Sequence, residues 1–336
     1  MKAVGYYKSL LVDDPACLQD IELPAPEPKA RDLLVRVSAV SVNPVDTKVR
    51  RNAAPEVGQA KVLGYDAVGT VEALGHEVRG FRPGDRVYYS GSITRPGCNS
   101  ELHCVDERIA AIAPRTLSDA EAAALPLTTV TAYELLFDRL CVPHHGGEGQ
   151  SILVMGGAGG VGSILIQLAR QLTGLKVIAT ASRPESRDWC FALGAHAVID
   201  HGKPLAEQLL RGGHGEVDMV ASLTETKQHY AGIIEALRPQ GKIGVIDDAP
   251  VLDAMALKIK CLSLHWEMMF TRSRFETPDM HRQGEMLAEV AELVDAGQVR
   301  TTLQGEFGRI DAANLRRAHA LLESGKSRGK IVLQGF

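Results

Sequence analysis

Residues 157–162, Gly157-Ala158-Gly159-Gly160-Val161-Gly162, carry the most specific chemistry in this chain of 336 residues. The glycines at 157, 159 and 162 fit the spacing G-x-G-x-x-G. In that pattern one glycine permits a tight turn out of a strand, one lets backbone amides approach a pyrophosphate, and one lets helix and strand pack closely. The phosphate sits at the helix N-terminus, where free N–H groups and the macrodipole favour an anion. Alone the pattern is weak, because glycine-rich turns also form for purely structural reasons. Its setting makes it specific. Ser151–Met155 reads as a buried strand, the apolar positions Val161, Ile164, Leu165, Leu168 and Leu172 follow at helical spacing, and Lys176–Thr180 reads as a second strand. Such a turn binds a dinucleotide.

The end of that second strand selects the dinucleotide. A site for NAD presents an Asp or Glu there, ~20 residues beyond the glycines, to accept from the ribose 2′-hydroxyl. Here the chain reads Thr180-Ala181-Ser182-Arg183, with Arg187 one helical turn further and no acid in place. A hydroxyl and one or two guanidiniums suit a 2′-phosphate, because Arg offers paired donors to phosphate oxygens. The expected cofactor is therefore NADPH. The structural alternative is that Ser182 caps the following helix through Ser182-x-x-Glu185 while the arginines are solvated; a capping hydroxyl also points toward the adenosine ribose. Ser222, at the end of a later strand, is expected to be a further cofactor contact.

The elements around this turn alternate. Strands are predicted at Ile152–Met155, Lys176–Thr180, Ala197–Ile199, Val217–Ala221, Lys242–Ile246 and Cys261–Leu264, with helices between them such as Glu185–Leu193 and Thr226–Leu237. Six strands with intervening helices describe a doubly wound parallel sheet. The first third is β-rich instead, with strands predicted at Lys2–Tyr7, Asp32–Val42, Asp66–Leu74, Asp85–Tyr89, Ser100–Asp106 and Ile109–Ala113, which suggests a partly closed barrel. Ser118-x-x-Glu121 opens an alanine-rich helix that Pro126 breaks, and Thr128–Asp138 forms another. After Phe270 the pattern gives a helix at Met280–Asp295, a strand near Phe307–Ile310, a helix at Ala312–Glu323 and a strand at Lys330–Leu333; Thr271 to Met280 reads as a lid or a plain surface loop. The last part is expected to rejoin the first. The predicted division is 1–125 plus 271–336 for a catalytic domain and 126–270 for a nucleotide domain inserted in it, with the ligand cleft between them.

Composition narrows the class. A hydrophobic fraction of 45% with 23% charge is ordinary for a globular protein, and a formal net charge of −4 gives no footprint for nucleic acid or an anionic membrane. No apolar run approaches the ~20 residues that span a bilayer, and the start of the chain shows no signal peptide. The six cysteines (17, 98, 104, 141, 190 and 261) lack CxxC spacing, which favours free thiols in a reducing cytoplasm.

The glycine motif together with Leu63-Gly64-Tyr65-Asp66-Ala67-Val68-Gly69, Pro83-Gly84-Asp85-Arg86-Val87 and Ala124-Leu125-Pro126 resembles the medium-chain dehydrogenase/reductase superfamily. Ser41-Val42-Asn43-Pro44-Val45-Asp46 and the Ala-Gly-Gly-Val-Gly ending look like its quinone oxidoreductase branch, and more closely like bacterial proteins called zinc-type alcohol dehydrogenase-like. The resemblance covers the whole chain. It implies a GroES-like catalytic domain, an inserted Rossmann domain and a homodimer paired through the Rossmann sheet edge.

It also frames the question of zinc. Zinc-dependent members carry a cysteine where this chain has Asn43, a histidine and a glutamate where it has Tyr65 and Asp66, and a third ligand at Leu127. Asn, Tyr and Leu do not supply thiolate or imidazole, so no metal is expected. His144 and His145 read as a solvated turn, and His196, His201 and His214 as structural or exposed. The resemblance places the turn of Asn43 and Asp46 beside the nicotinamide and makes both, with Tyr65, candidate catalytic residues, although Asn43, Pro44 and Asp46 at N-cap, N1 and N3 also make a good helix start. Tyr65 is expected to face the cleft, its phenol donating to a substrate oxygen. Thr128 and Thr131 border the cofactor or simply bond back into their helix. His265 and Trp266 line the cleft or belong to an edge strand. Lys330 reaches a phosphate or stays exposed. The expectation is an NADPH-dependent, zinc-independent reductase acting on a quinone or an activated alkene or carbonyl. The alternatives are a dehydrogenase of alcohols or aldehydes with atypical zinc ligands, and an NADPH-binding sensor with little catalysis.

Overall fold

The computed structural model describes all 336 residues, which form two compact units, Met1–Val130 with Phe270–Phe336 and Thr131–Met269. The first opens with eight strands: β1 (Lys2–Tyr6), β2 (Gln19–Glu22), β3 (Asp32–Val42), β4 (Lys61–Val62), β5 (Ala67–Leu74), β6 (Arg86–Tyr89), β7 (Leu102–Asp106) and β8 (Ala110–Ile112). Helices α1 (Pro44–Asn52) and α2 (Asp119–Ala123) interrupt and follow them. Strands β2, β1 and β4 make a small antiparallel sheet. The eleven-residue β3 organises the larger sheet, pairing antiparallel with β5 along most of its length and with β7 at its start. Gly69 permits that closeness, since a Cβ there would lie 2.2 Å from the Arg36 carbonyl oxygen.

Helix α3 (Pro126–Tyr133) continues as a π-helical segment at Glu134–Arg139, and the second unit then alternates. Its strands are β9 (Ser151–Met155), β10 (Lys176–Thr180), β11 (Ala197–Ile199), β12 (Val217–Ser222), β13 (Leu237–Val245) and β14 (Ser263–Trp266). The helices are α4 (Gly160–Leu172), α5 (Pro184–Ala192), α6 (Leu205–Arg211) and α7 (Thr226–Ala236). The six strands are all parallel, in the order β11-β10-β9-β12-β13-β14, which is the 3-2-1-4-5-6 order of a doubly wound nucleotide fold. Every residue of β9 is buried, as a central parallel strand covered on both faces requires. Leu153, Ile178, Val220, Leu237 and Ile243 belong to its core.

The chain rejoins the first unit with α8 (Thr271–Phe275), α9 (Arg282–Asp295), β15 (Leu303–Glu306), α10 (Ala312–Glu323) and β16 (Lys330–Gln334). β16 runs antiparallel to the C-terminal part of β3, with Ile331 opposite Val42, and so sets Lys330 beside the end of β3. Leu33, Val35, Leu63, Val87, Leu315 and Ile331 share this unit's core. No helix is long and apolar enough to cross a membrane.

Several local expectations shift. Pro126 starts α3 instead of breaking a helix, because a proline fits the first helical position. The strand expected near Phe307–Ile310 is Leu303–Glu306, and it ends before Gly308 at φ +89°. The last parallel strand begins at Ser263, since Cys261 takes φ +49° and cannot lie in a ladder. Thr271–Met280 holds the short helix α8, pinned by Arg272 donating to Asp279 at 2.8 and 3.0 Å.

Candidate functional site

In the second unit β9 delivers the chain to Gly156, whose φ of +73° turns it toward α4. The Gly156 N–H donates to Thr180 Oγ1 at 3.0 Å and the Gly157 N–H to the Thr180 carbonyl at 3.1 Å, tying the turn to β10. A Cβ on Gly157 would lie 2.7 Å from Ala179 Cβ, and one on Gly162 would lie 2.5 Å from the Gly156 carbonyl oxygen. Both glycines are therefore demanded by packing. Gly159 differs: it is the N-cap of α4, and a Cβ there would meet only the Gly156 oxygen, at 3.3 Å. The ladder starts with the Ser163 N–H on the Gly159 carbonyl, so the N–H groups of Gly160, Val161 and Gly162 lie outside it. Ala158, Gly159, Gly160 and Val161 are half-buried around this end. The arrangement fits a pyrophosphate.

At the rim, Ser182 is exposed and Arg183 and Arg187 are half-buried. The N-cap of α5 is Arg183, not Ser182, because Pro184 takes the first helical position and moves the start one residue along; the expected box from Ser182 to Glu185 is out of register. Arg183 Nε lies 3.6 Å from Glu185 Oε1, with both side chains substantially exposed. Ser222 does not face a ligand surface. It is fully buried, and its hydroxyl is 2.7 Å from Thr226 Oγ1, whose backbone N–H donates to Asp247. Thr131 is buried, and His265 and Trp266 lie on the edge strand β14. His144 and His145 form the expected exposed turn, in which the His144 ring also stacks on Phe137 at 4.0 Å and meets the Tyr133 hydroxyl at 3.0 Å.

In the first unit, Asn43, Asp46, Asp66 and Lys330 converge, none more than 3% exposed. Asn43 follows β3 and caps α1, and the Asp46 carboxylate accepts its backbone N–H at 2.8 Å and that of Gly64 at 2.9 Å. The Asn43 side-chain amide turns the other way and donates to Asp66 Oδ2 at 2.7 Å. Lys330 Nζ donates to Asp66 Oδ2 at 2.9 Å, to the Val42 carbonyl at 3.2 Å, and to Asn43 Oδ1. The other Asp66 oxygen accepts the Leu127 N–H at 2.6 Å, at the start of α3, and Thr128 bonds back to the Leu125 carbonyl at 3.1 Å. Burial pushes Asp46 up to about 7, against its two backbone donors. It also raises Asp66 above the ordinary carboxylate range, with Lys330 and Asn43 pulling it back.

Two side chains are more buried here than expected. Lys330 neither stays exposed nor reaches for a phosphate; its ammonium is engaged by three oxygens within this unit. Tyr65 is fully buried, packed edge-on against Phe270 with ring centroids 5.3 Å apart. Its hydroxyl has no hydrogen-bond partner, and burial, then the nearby Asp46 charge, drives its pKa upward.

The chemistry of these donors can be compared with what zinc requires. Around Asp66 stand an amide, a backbone carbonyl and an ammonium, none of them a zinc ligand. Cys98 donates its thiol to the Asp66 carbonyl at 3.3 Å, and burial pushes that thiol well up, away from the thiolate a metal would need. No group of three or more His, Cys, Asp or Glu is arranged to hold a metal ion. The residues present do not fit zinc. Reading along the sequence missed how Lys330 and Asp66 join, because the partners are 264 residues apart; the available signal was an acid and a lysine beside apolar strand residues. It also missed a buried pair, Glu134 and Glu267, served by Arg139 at 3.8 and 2.7 Å.

The parallel sheet in this strand order, with a phosphate cradle after its first strand, is the architecture of a dinucleotide-binding domain. The "Zinc-binding dehydrogenase" family matches residues 193–333 and the "Alcohol dehydrogenase GroES-like domain" family residues 29–118. A zinc-type alcohol dehydrogenase-like protein of Staphylococcus aureus is 41% identical over 340 residues, covering 99% of each chain. Tomato 2-methylene-furan-3-one reductase is 29% identical over 92% of this chain and 73% of its own. Among solved structures, a Rhizobium etli protein provisionally described as a zinc-dependent alcohol dehydrogenase is 55% identical with a TM-score of 0.96, covering 100% of this chain and 98% of its own. Escherichia coli quinone oxidoreductase, solved with NADPH, is 25% identical with a TM-score of 0.83 over all of both chains. This chain belongs to the medium-chain dehydrogenase/reductase superfamily, in its quinone oxidoreductase-like branch.

Proposed function

We propose that this chain is an NADPH-dependent reductase that delivers hydride to a quinone, or to an alkene or carbonyl activated by conjugation, without a catalytic zinc. The observation that carries this conclusion is the Asp66–Lys330 ion pair: the one carboxylate among the four candidate ligand positions is neutralised by the chain's own ammonium. Without a Lewis acid, the alkoxide formed while oxidising a simple alcohol has no strong stabiliser. Quinones and enones spread the developing charge over a conjugated framework and demand less of the protein. Relatives bearing quinone oxidoreductase and furanone reductase names support the same substrate class.

NADPH supplies the hydride when bound. The glycine turn at residues 157–162 receives its pyrophosphate, and Ser182, Arg183 and Arg187 its 2′-phosphate; Thr128 and Thr131 border it. Tyr65 is the group assigned to the substrate oxygen, since its hydroxyl alone among the three candidate catalytic side chains is unengaged. A buried donor left without an acceptor costs ~1–3 kcal/mol, which a substrate oxygen removes. Asn43 and Asp46, with their polar atoms already committed, hold the frame. The protein is taken to be cytoplasmic and homodimeric, with the edge of β14 as the pairing surface; light scattering giving the 36.2 kDa chain mass, not twice it, would remove the dimer.

A panel assay tests the activity. NADPH oxidation is followed with benzoquinones, naphthoquinones and enones, and NADP⁺ reduction with simple alcohols. The expected result is turnover in the first set only. Alcohol oxidation outpacing reduction of every quinone and enone would overturn the conclusion.

A further inference from the structure

We propose that Lys330 is the internal cation of a buried oxygen cage, and a positioning residue that holds Asn43 and the start of α3 in register for catalysis. The cage is Asp66 Oδ2 at 2.9 Å, the Val42 carbonyl oxygen at 3.2 Å and Asn43 Oδ1, and the lysine closing it is 3% exposed. Three oxygen acceptors around one ammonium leave each of its hydrogens with a partner. An uncompensated carboxylate at this depth would be strongly unfavourable, and the Lys330 ammonium at 2.9 Å is the cation that compensates it.

The consequence reaches beyond charge balance, because each cage atom belongs to a different element. Val42 ends β3, Asn43 caps α1, Asp66 precedes β5, and Lys330 opens β16. The second Asp66 oxygen holds the Leu127 N–H, so the ammonium fixes the carboxylate that fixes the first turn of α3. That turn carries Thr128. The Asn43 amide is clamped at both ends, its nitrogen on Asp66 and its oxygen on Lys330. Removing the cation frees the amide to flip and the carboxylate to take up a proton, and the register between α1 and α3 is lost. The donors are hard oxygens, which suit an ammonium or alkali cation and not zinc.

This proposal rests on the reductase activity for its kinetic arm only. The experiment compares Lys330→Met and Lys330→Ala with the wild-type enzyme, using thermal midpoints and steady-state kinetics with NADPH and a quinone. Lys330→Ala is also measured with added propylammonium and, at equal ionic strength, with tetramethylammonium, which is too bulky and has no N–H to donate. Expected are a lowered midpoint in both variants, and a kcat of Lys330→Met reduced more than tenfold with KM for NADPH within threefold. Propylammonium, and not tetramethylammonium, restores at least half of the midpoint lost in Lys330→Ala. Should the single variants fail to fold, Asp66→Asn/Lys330→Met, neutral at both ends, is expected to fold with a higher midpoint than either Asp66→Asn or Lys330→Met. Wild-type kcat in Lys330→Met, equal effects of the two ammonium salts, or a double variant no more stable than the singles would overturn the proposal. Absence of turnover in the wild-type enzyme would instead refute the reductase activity, with the thermal rescue still reading the cage.

Discussion

Replacing Arg183 by Ala should weaken NADPH far more than NADH. The guanidinium stands at the end of the second parallel strand, where the chain offers no carboxylate to a ribose hydroxyl. A charge-assisted hydrogen bond to phosphate contributes about 1.5–3 kcal/mol, which converts to roughly 10- to 150-fold in Kd. Against this stands the pair with Glu185, 3.6 Å away with side chains 42% and 57% exposed. An ion pair that exposed contributes about 0–1 kcal/mol, and a bound phosphate must compete with it. Allowing about 0.5 kcal/mol for that competition leaves about 1–2.5 kcal/mol, a loss of roughly 5- to 70-fold for NADPH and less than about threefold for NADH. Glu185→Gln, by removing this competing pair, should tighten NADPH binding by up to about fivefold, and less at high salt, where screening weakens the pair. Fluorescence titration of both cofactors with wild type and the two variants measures all of this. Equal losses for the two cofactors in Arg183→Ala, or a wild-type protein that prefers NADH, would refute the reasoning.

Gly162→Ala should abolish tight binding of both cofactors, because its Cβ would lie 2.5 Å from the Gly156 carbonyl oxygen and 2.7 Å from Gly157 Cα and must push α4 off the turn; a stability loss of about 1–3 kcal/mol should accompany it in denaturant titration. The Glu134–Glu267 pair makes stability depend on pH. Burial first, then the Glu134 charge, raises Glu267 well above the carboxylate range, so the folded protein keeps a proton that the unfolded chain releases above about pH 4.5. Stability should therefore fall as pH rises from about 5 toward neutral and beyond, by up to about 1.4 kcal/mol per unit, and Glu267→Gln should flatten that slope in urea titrations. His103→Phe should cost about 1–3 kcal/mol in thermal or urea unfolding, since the buried imidazole joins the Tyr89 hydroxyl and the Pro96 carbonyl, each at 3.0 Å, and both would lose a partner.

What the sequence discloses is chiefly local. The alternation of strand and helix after Ser151, the span of β3 and β10 and the glycine cradle follow from periodicity and turn chemistry within a few residues of each position. Boundaries moved where one residue's backbone angle intervened, as at Cys261 and Gly308, or where proline took the first helical position, as at Pro126 and Pro184. The site in the first unit was illegible for another reason. Lys330 meets Asn43 across 287 residues, through an antiparallel pairing of β16 with β3 that no local pattern encodes. Ser222 fails as a surface group for a related reason: whether a polar side chain at a strand end faces a ligand or the interior depends here on Thr226, four residues further on.

The central claim, hydride transfer without zinc, is tested most directly by measuring the metal content of the purified protein and its NADPH-dependent quinone turnover before and after exhaustive chelation. The expected result is far less than one zinc per chain and an unchanged rate. One tightly held zinc per chain, with turnover lost on its removal and restored by zinc, would contradict the account.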